Sequence, residues 1–108
     1  MPWAVREYEV IGVNTINGIR RGEYLGVFET EDKALEFLDK LLEDLRRELE
    51  SDTEIEIIDE DELGFAVDTK ENIEIAEATG EELIGYDYIG YEVEEVSEGE
   101  AEEIRRKL

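Results

Sequence analysis

From Thr30 to Glu50 apolar side chains return every three or four positions, at Ala34, Leu35, Leu38, Leu41, Leu42, Leu45 and Leu49. That spacing lays one stripe along a helix of period 3.6, and a stripe this long has to be covered. Thr30 suits an N-cap, and Glu31 and Asp32 fall in the first turn, where the helix dipole favours carboxylates. The pattern predicts a helix over 31–50 whose leucines belong to a core. Glu36 with Lys40 and Glu43 with Arg47 are spaced i,i+4 on its wet face, worth about 0.3 kcal/mol each and carrying no functional message.

The material for that core lies on either side. Residues 4–13 and 22–29 are rich in β-branched and aromatic side chains, with Asn17-Gly18 between them, a strong hairpin signal because both central positions of a type I′ turn need positive φ. A two-residue turn there predicts Tyr8 opposite Val27, Val10 opposite Leu25 and Ile11 opposite Tyr24. One hairpin face then carries Tyr8, Val10, Ile16, Ile19, Leu25 and Val27, and the other Ile11, Val13, Tyr24 and Phe28. Gly22 allows a longer tip containing Arg20 and Arg21 as the alternative.

Beyond Ser51 the apolar residues alternate: Ile55 and Ile57, then Leu63, Phe65 and Val67, then Ile73 and Ile75. With reversals expected at 59–62, 69–72 and 79–82, this is the spacing of an antiparallel meander. A last strand region over 83–96 contains Gly85 and Gly90, which point to a bulge, a bend or a close backbone approach. Ser97 with Glu100 forms a capping box, and Ala101, Ile104 and Leu108 give a short helix over 98–107 its apolar side.

The expected architecture is α+β: an antiparallel sheet of about five to six strands, built from an N-terminal hairpin (4–29) and a C-terminal meander (within 53–96), packed against one long helix and closed by a short one. At 108 residues and 41% apolar content, the chain is one domain with one modest core. No apolar run reaches the roughly 20 residues of a membrane span, and the N-terminus lacks the basic and then apolar regions of a signal peptide, so a soluble chain in the cytoplasm is the default expectation.

Charge is the second constraint. Thirty-three acids face eleven bases, for a net charge of −22. Residues 1–47 carry ten acids and seven bases, whereas residues 48–104 carry twenty-three acids and Lys70 alone. Such a field repels nucleic acid and anionic membrane and attracts basic protein surfaces. There is no His, Cys or Gln, a profile that fits a heat-adapted protein and a computationally designed scaffold alike.

Catalytic motifs are missing. Without His or Cys there is no ordinary triad, thiolate nucleophile or zinc set, and Ser51 and Ser97 both sit at helix ends. No glycine-rich phosphate loop is present. In "EIEIIDEDE" (54–62) the calcium-loop spacing starts well at Asp59, Asp61 and Gly64, then fails at Leu63 and at Lys70, where a bidentate Glu is needed. The sequence predicts no enzyme, no cofactor and no dedicated metal site.

What remains is a binding surface. Glu54 and Glu56, and Glu92 and Glu94, repeat at period two, so a strand would space their carboxylates about 6.6 Å apart, comparable to successive phosphates. Tyr86 and Tyr88, with Tyr91 on the opposite strand face, add rigid aromatic area. These seven residues are the candidate partner-binding set. The expected function is an acidic binding protein that engages a basic protein surface as a nucleic-acid mimic does; the alternative is a heat-adapted or designed scaffold without a ligand. Acidic edge strands favour a monomer, with a dimer on the hairpin or tyrosine face as the other arrangement.

Overall fold

Among the described residues, β-branched and aromatic side chains at alternating positions make five strands, and capped runs of good helix formers make three helices. The computed structural model describes every residue except Asn14, Ile16 and Asn17. In chain order the elements are β1 (Trp3–Val10), β2 (Ile19–Phe28), α1 (Glu31–Ser51), β3 (Ile55–Glu60), β4 (Gly64–Thr69), α2 (Lys70–Thr79), β5 (Asp87–Glu95) and α3 (Glu98–Lys107). All strand pairs are antiparallel, in one sheet of order β2-β1-β5-β4-β3. The fold is α+β, a hairpin and a C-terminal sheet region with a long helix packed on one face.

β5 joins the two parts. It pairs along eight residues with β1, from Trp3 opposite Glu95 to Val10 opposite Tyr88, but along only four with β4, from Gly64 opposite Gly90 to Val67 opposite Asp87. The β3–β4 hairpin is therefore offset along the sheet, and the molecule measures 52 × 29 × 20 Å. Its radius of gyration is 16.2 Å, against about 13 Å for a compact chain of this length.

Because strand side chains alternate between faces, each face has its own core. On the first, α1 lies across the sheet: Ala34 and Leu38 are buried in its first half, where the Phe28 and Phe37 rings lie 5.0 Å apart. Further along, Leu49 packs with Phe65 and Val67, and Leu42, Leu45, Ile55, Ile57 and Ile89 close around them. On the second, α3 covers one end, where Ala4, Val96, Ala101 and Ile104 pack with Tyr24 and Val27.

Several expectations need correction. The hairpin connection runs from residue 11 to 18, and Val10 pairs with Ile19, Tyr8 with Arg21 and Ala4 with Val27. The predicted pairs Tyr8 with Val27, Val10 with Leu25 and Ile11 with Tyr24 do not form, and Arg20 and Arg21 lie in β2 rather than in a tip. The proposed Asn17-Gly18 turn, with Ile16, lies outside the described residues apart from Gly18, whose carbonyl accepts from Ile11 N at 3.2 Å. The shift has a physical source: past Val10 the chain finds partners beside β5. Gly12 N donates to Asp87 Oδ1 (3.0 Å), Val13 N to the Tyr86 carbonyl (2.6 Å) and Gly85 N to the Val13 carbonyl (3.0 Å). Two irregularities near Val5 to Tyr8 then absorb the register difference.

The segment holding Ile73 and Ile75, expected as a strand, is helix α2. Thr69 Oγ1 accepts from Asn72 N (3.1 Å) and Asp68 Oδ1 from Asn72 Nδ2 (3.0 Å), so residues 68–72 start a helix instead of a turn. Two isoleucines are too short an alternation to outweigh Glu and Ala at the remaining positions. On α1, Leu35 is 38% exposed, and Phe37 takes its place toward the sheet. Arg47 pairs with Asp44 and Arg46 with Glu60 and Glu50; among the described residues the expected Glu36–Lys40 and Glu43–Arg47 pairs are not formed. Leu108, expected on the buried side of α3, is 61% exposed. Among the described residues no helix is long and apolar enough to cross a membrane.

Candidate functional site

The second face of the sheet has α3 over one end and, among the described residues, no helix over its middle. Period-two alternation brings Arg6, Tyr8 and Val10 of β1 to this face, beside Tyr88, Glu92 and Glu94 of β5, with Tyr24 and Arg21 of β2 flanking them. The side chains connect in sequence. Asp61 Oδ1 accepts from the Tyr88 hydroxyl at 2.6 Å, and the Tyr88 and Tyr8 rings meet edge to face with centroids 6.1 Å apart. The Arg21 guanidinium lies 5.5 Å from the Tyr8 centroid, and its Nε donates to both Glu92 carboxylate oxygens at 3.2 Å. Further along, Arg6 sits 4.4 Å over Tyr24 and donates to its hydroxyl (3.1 Å), which in turn donates to Glu94 at 2.6 Å.

Asp61 holds one end of this line. Its Oδ1 also accepts from Leu63 N (2.8 Å) and Gly64 N (2.9 Å), which closes the turn between β3 and β4. Partial burial pushes its carboxyl up, but hydrogen bonds from Tyr88, Leu63 and Gly64 outweigh that and hold it below the usual aspartate value. Burial, then the bond to Asp61 and its charge, pushes the Tyr88 hydroxyl well above the ordinary tyrosine value. Tyr24 is raised by its bond to Glu94 and by burial. Under these conditions Asp61 stays charged at neutral pH and the tyrosines stay protonated donors.

Two concavities flank the β1–β5 pair. One, of about 460 Å³ on the open face, is walled by Tyr8, Val10, Val13, Leu63, Tyr88 and Tyr91, with Asp61 and Glu92 supplying charge. The other, of about 520 Å³ on the α1 side, is lined by Glu7, Glu9 and Glu48 together with Arg20 and Arg21, of which Arg21 is paired with Glu92. Tyr91 reaches this second region, where burial and then the charges of Glu7, Glu48 and Asp44 raise its hydroxyl.

The seven residues singled out from the sequence are distributed as follows. Tyr88 is central to the open face, Tyr91 lines both concavities, and Tyr86 precedes β5, where its carbonyl serves Val13. Glu92 and Glu94 share the open face but are engaged by Arg21 and Tyr24. Glu56 is exposed on edge strand β3, opposite Asp68, and Glu54 lies just before that strand. Glu56 and Glu92 are two strands apart and about six residues offset, roughly 20 Å along the sheet. The two pairs do not form one row.

Tyr8, Arg21 and Asp61 are the site residues the sequence reading passed over. Their alternation was visible; the register that brings Tyr8 beside Tyr88 and Arg21 was not. Among the described residues no three acidic side chains are grouped to hold a metal ion. No protein-family profile, curated protein or solved structure matches the chain.

Proposed function

We propose that this is a non-enzymatic acidic binding protein whose open sheet face engages a basic protein surface. The observation that carries the reading is a face without a helix over its middle, lined by Tyr8, Tyr88, Asp61 and Glu92, on a chain of net charge −22. Tyrosines supply rigid contact area, and the surrounding field draws basic partners in and speeds their encounter. Imitation of nucleic-acid phosphates is the narrower form of the proposal. Glu54 and Glu56 are the exposed pair that supports it, whereas Glu92 and Glu94 are already engaged by Arg21 and Tyr24.

The test is affinity for a set of basic nucleic-acid-binding proteins, measured by calorimetry between 50 and 300 mM salt. Binding that weakens steeply with salt, and weakens again when Glu54 and Glu56 become Gln, is the expected result. Salt-independent binding, or none across the set, contradicts the proposal. A ligand-free scaffold is the second reading, favoured by the exposure of Glu71, Glu74 and Glu77 on α2 and of Glu98, Glu102 and Glu103 on α3, away from the open face. In that case neutralising Glu54 and Glu56 raises stability and changes no binding.

A further inference from the structure

The open-face concavity has a chemistry of its own. Two tyrosine rings meet at an interplanar angle of 73°, forming a corner, and carboxylates stand on either side of it at Asp61 and Glu92. Perpendicular π faces beside fixed negative charge attract organic cations, and more so when partly desolvated. The protein already uses this chemistry internally: Arg21 sits over Tyr8 while its Nε bonds Glu92. At the other end, Asp61 Oδ1 is committed to three donors, and Oδ2 has no hydrogen-bond partner among the described residues. A planar guanidinium stacks on an aromatic ring and meets a carboxylate edge-on, where an ammonium offers only a point charge.

We infer that the Tyr8–Tyr88 corner is a receptor for a single arginine side chain of the basic partner, its guanidinium held against the rings and its charge met by Asp61, with Val10 and Leu63 covering its aliphatic stem. Charge complementarity selects this occupant. Among the described residues no basic side chain is part of the cavity lining; Arg21 stacks on Tyr8 and pairs with Glu92 at its rim, so Asp61 is the carboxylate left without a cationic partner there. The inference rests on the proposed binding of a basic surface and adds its recognition element. Since buried aromatic and arginine contacts dominate interface energetics, this corner is where most of the affinity concentrates.

The experiment titrates hexa-arginine, and separately hexa-lysine, into the ¹⁵N-labelled protein at 150 mM salt, with dissociation constants from calorimetry. Expected are shifts at Tyr8, Val10, Leu63 and Tyr88, tighter binding of hexa-arginine than of hexa-lysine, and about ten-fold weaker hexa-arginine binding in Tyr8→Leu and in Tyr88→Leu. Glu71→Gln on α2 leaves binding within two-fold, roughly the size of a screened surface charge. Shifts confined to α2 and α3, or undiminished binding in a folded Tyr8→Leu, overturn the inference. If Tyr88→Leu loses its fold, Tyr8→Leu and the shift map of the parent protein decide. Where a basic protein binds and the corner variants change nothing, the corner falls and the broader proposal stands; where neither the peptides nor any basic protein binds, both fall.

Discussion

The two ends of the sheet are built from the same antiparallel chemistry and packed differently. At the hairpin end, consecutive residues Ala4 and Val5 point to opposite faces and both are fully buried, one under α3 and the other on the α1 side. At the β3–β4 end, Phe65 and Val67 are buried on the α1 side and Ala66 and Asp68 on the other, but α2, the helix that belongs to this end, contributes no buried residue. The charge follows the packing. Residues 52–82, which make β3, β4 and α2, hold thirteen acids and Lys70 alone. A region whose own helix stays exposed has room for carboxylates in water.

If the hairpin end is the anchored one, the largest stability loss comes from its core. Leu38→Ala, at a position 1% exposed, is expected to cost about 3 kcal/mol in urea unfolding. The joint between the two ends comes next. A Cβ at Gly90 would lie 2.7 Å from Gly64 Cα and crowd the Leu63 carbonyl, so Gly90→Ala is expected to cost about 2 kcal/mol. Amide exchange in that variant should quicken in β3 and β4 more than in β1 and β2. A uniform increase would mean the ends are one cooperative unit.

Smaller effects sharpen the contrast. Tyr88→Phe removes the bond to Asp61 and is expected to cost about 1 kcal/mol. The folded state holds Tyr24, Tyr88 and Tyr91 above their ordinary values and so favours their neutral form. The stability they contribute is complete below about pH 10 and is lost as pH rises through their folded values, which melting curves from pH 9 upward will follow. Smallest of all, Ile75→Ala on α2, at a position 54% exposed, should stay within about 0.5 kcal/mol of the parent.

What could be read in advance was what depends on local pattern. The leucine spacing and the Thr30 and Ser97 caps placed α1 and α3 closely, and alternation placed β1, β4 and β5. What resisted was set by partners distant in sequence. The hairpin register depends on Gly12 and Val13 finding Asp87, Tyr86 and Gly85, some 70 residues away, which no turn signal reports. α2 was mistaken because two isoleucines two apart suit a strand, and the Asp68, Thr69 and Asn72 bonds that start the helix were read as a turn. At the candidate site Tyr88 could be found as an aromatic on a strand, and Gly90 as a close approach. Its neighbours Tyr8, Arg21 and Asp61 come from three other parts of the chain, and only the strand order β2-β1-β5-β4 gathers them.

The most direct test of the proposal that the open face takes a basic partner is amide hydrogen exchange, residue by residue, with and without hexa-arginine. The free protein should protect β1, β5 and α1 most and α2 least, and the peptide should add protection at Tyr8–Val10, at 61–63 and at Tyr88–Glu92. Added protection restricted to α2 and α3, with the open face unchanged, would contradict the account.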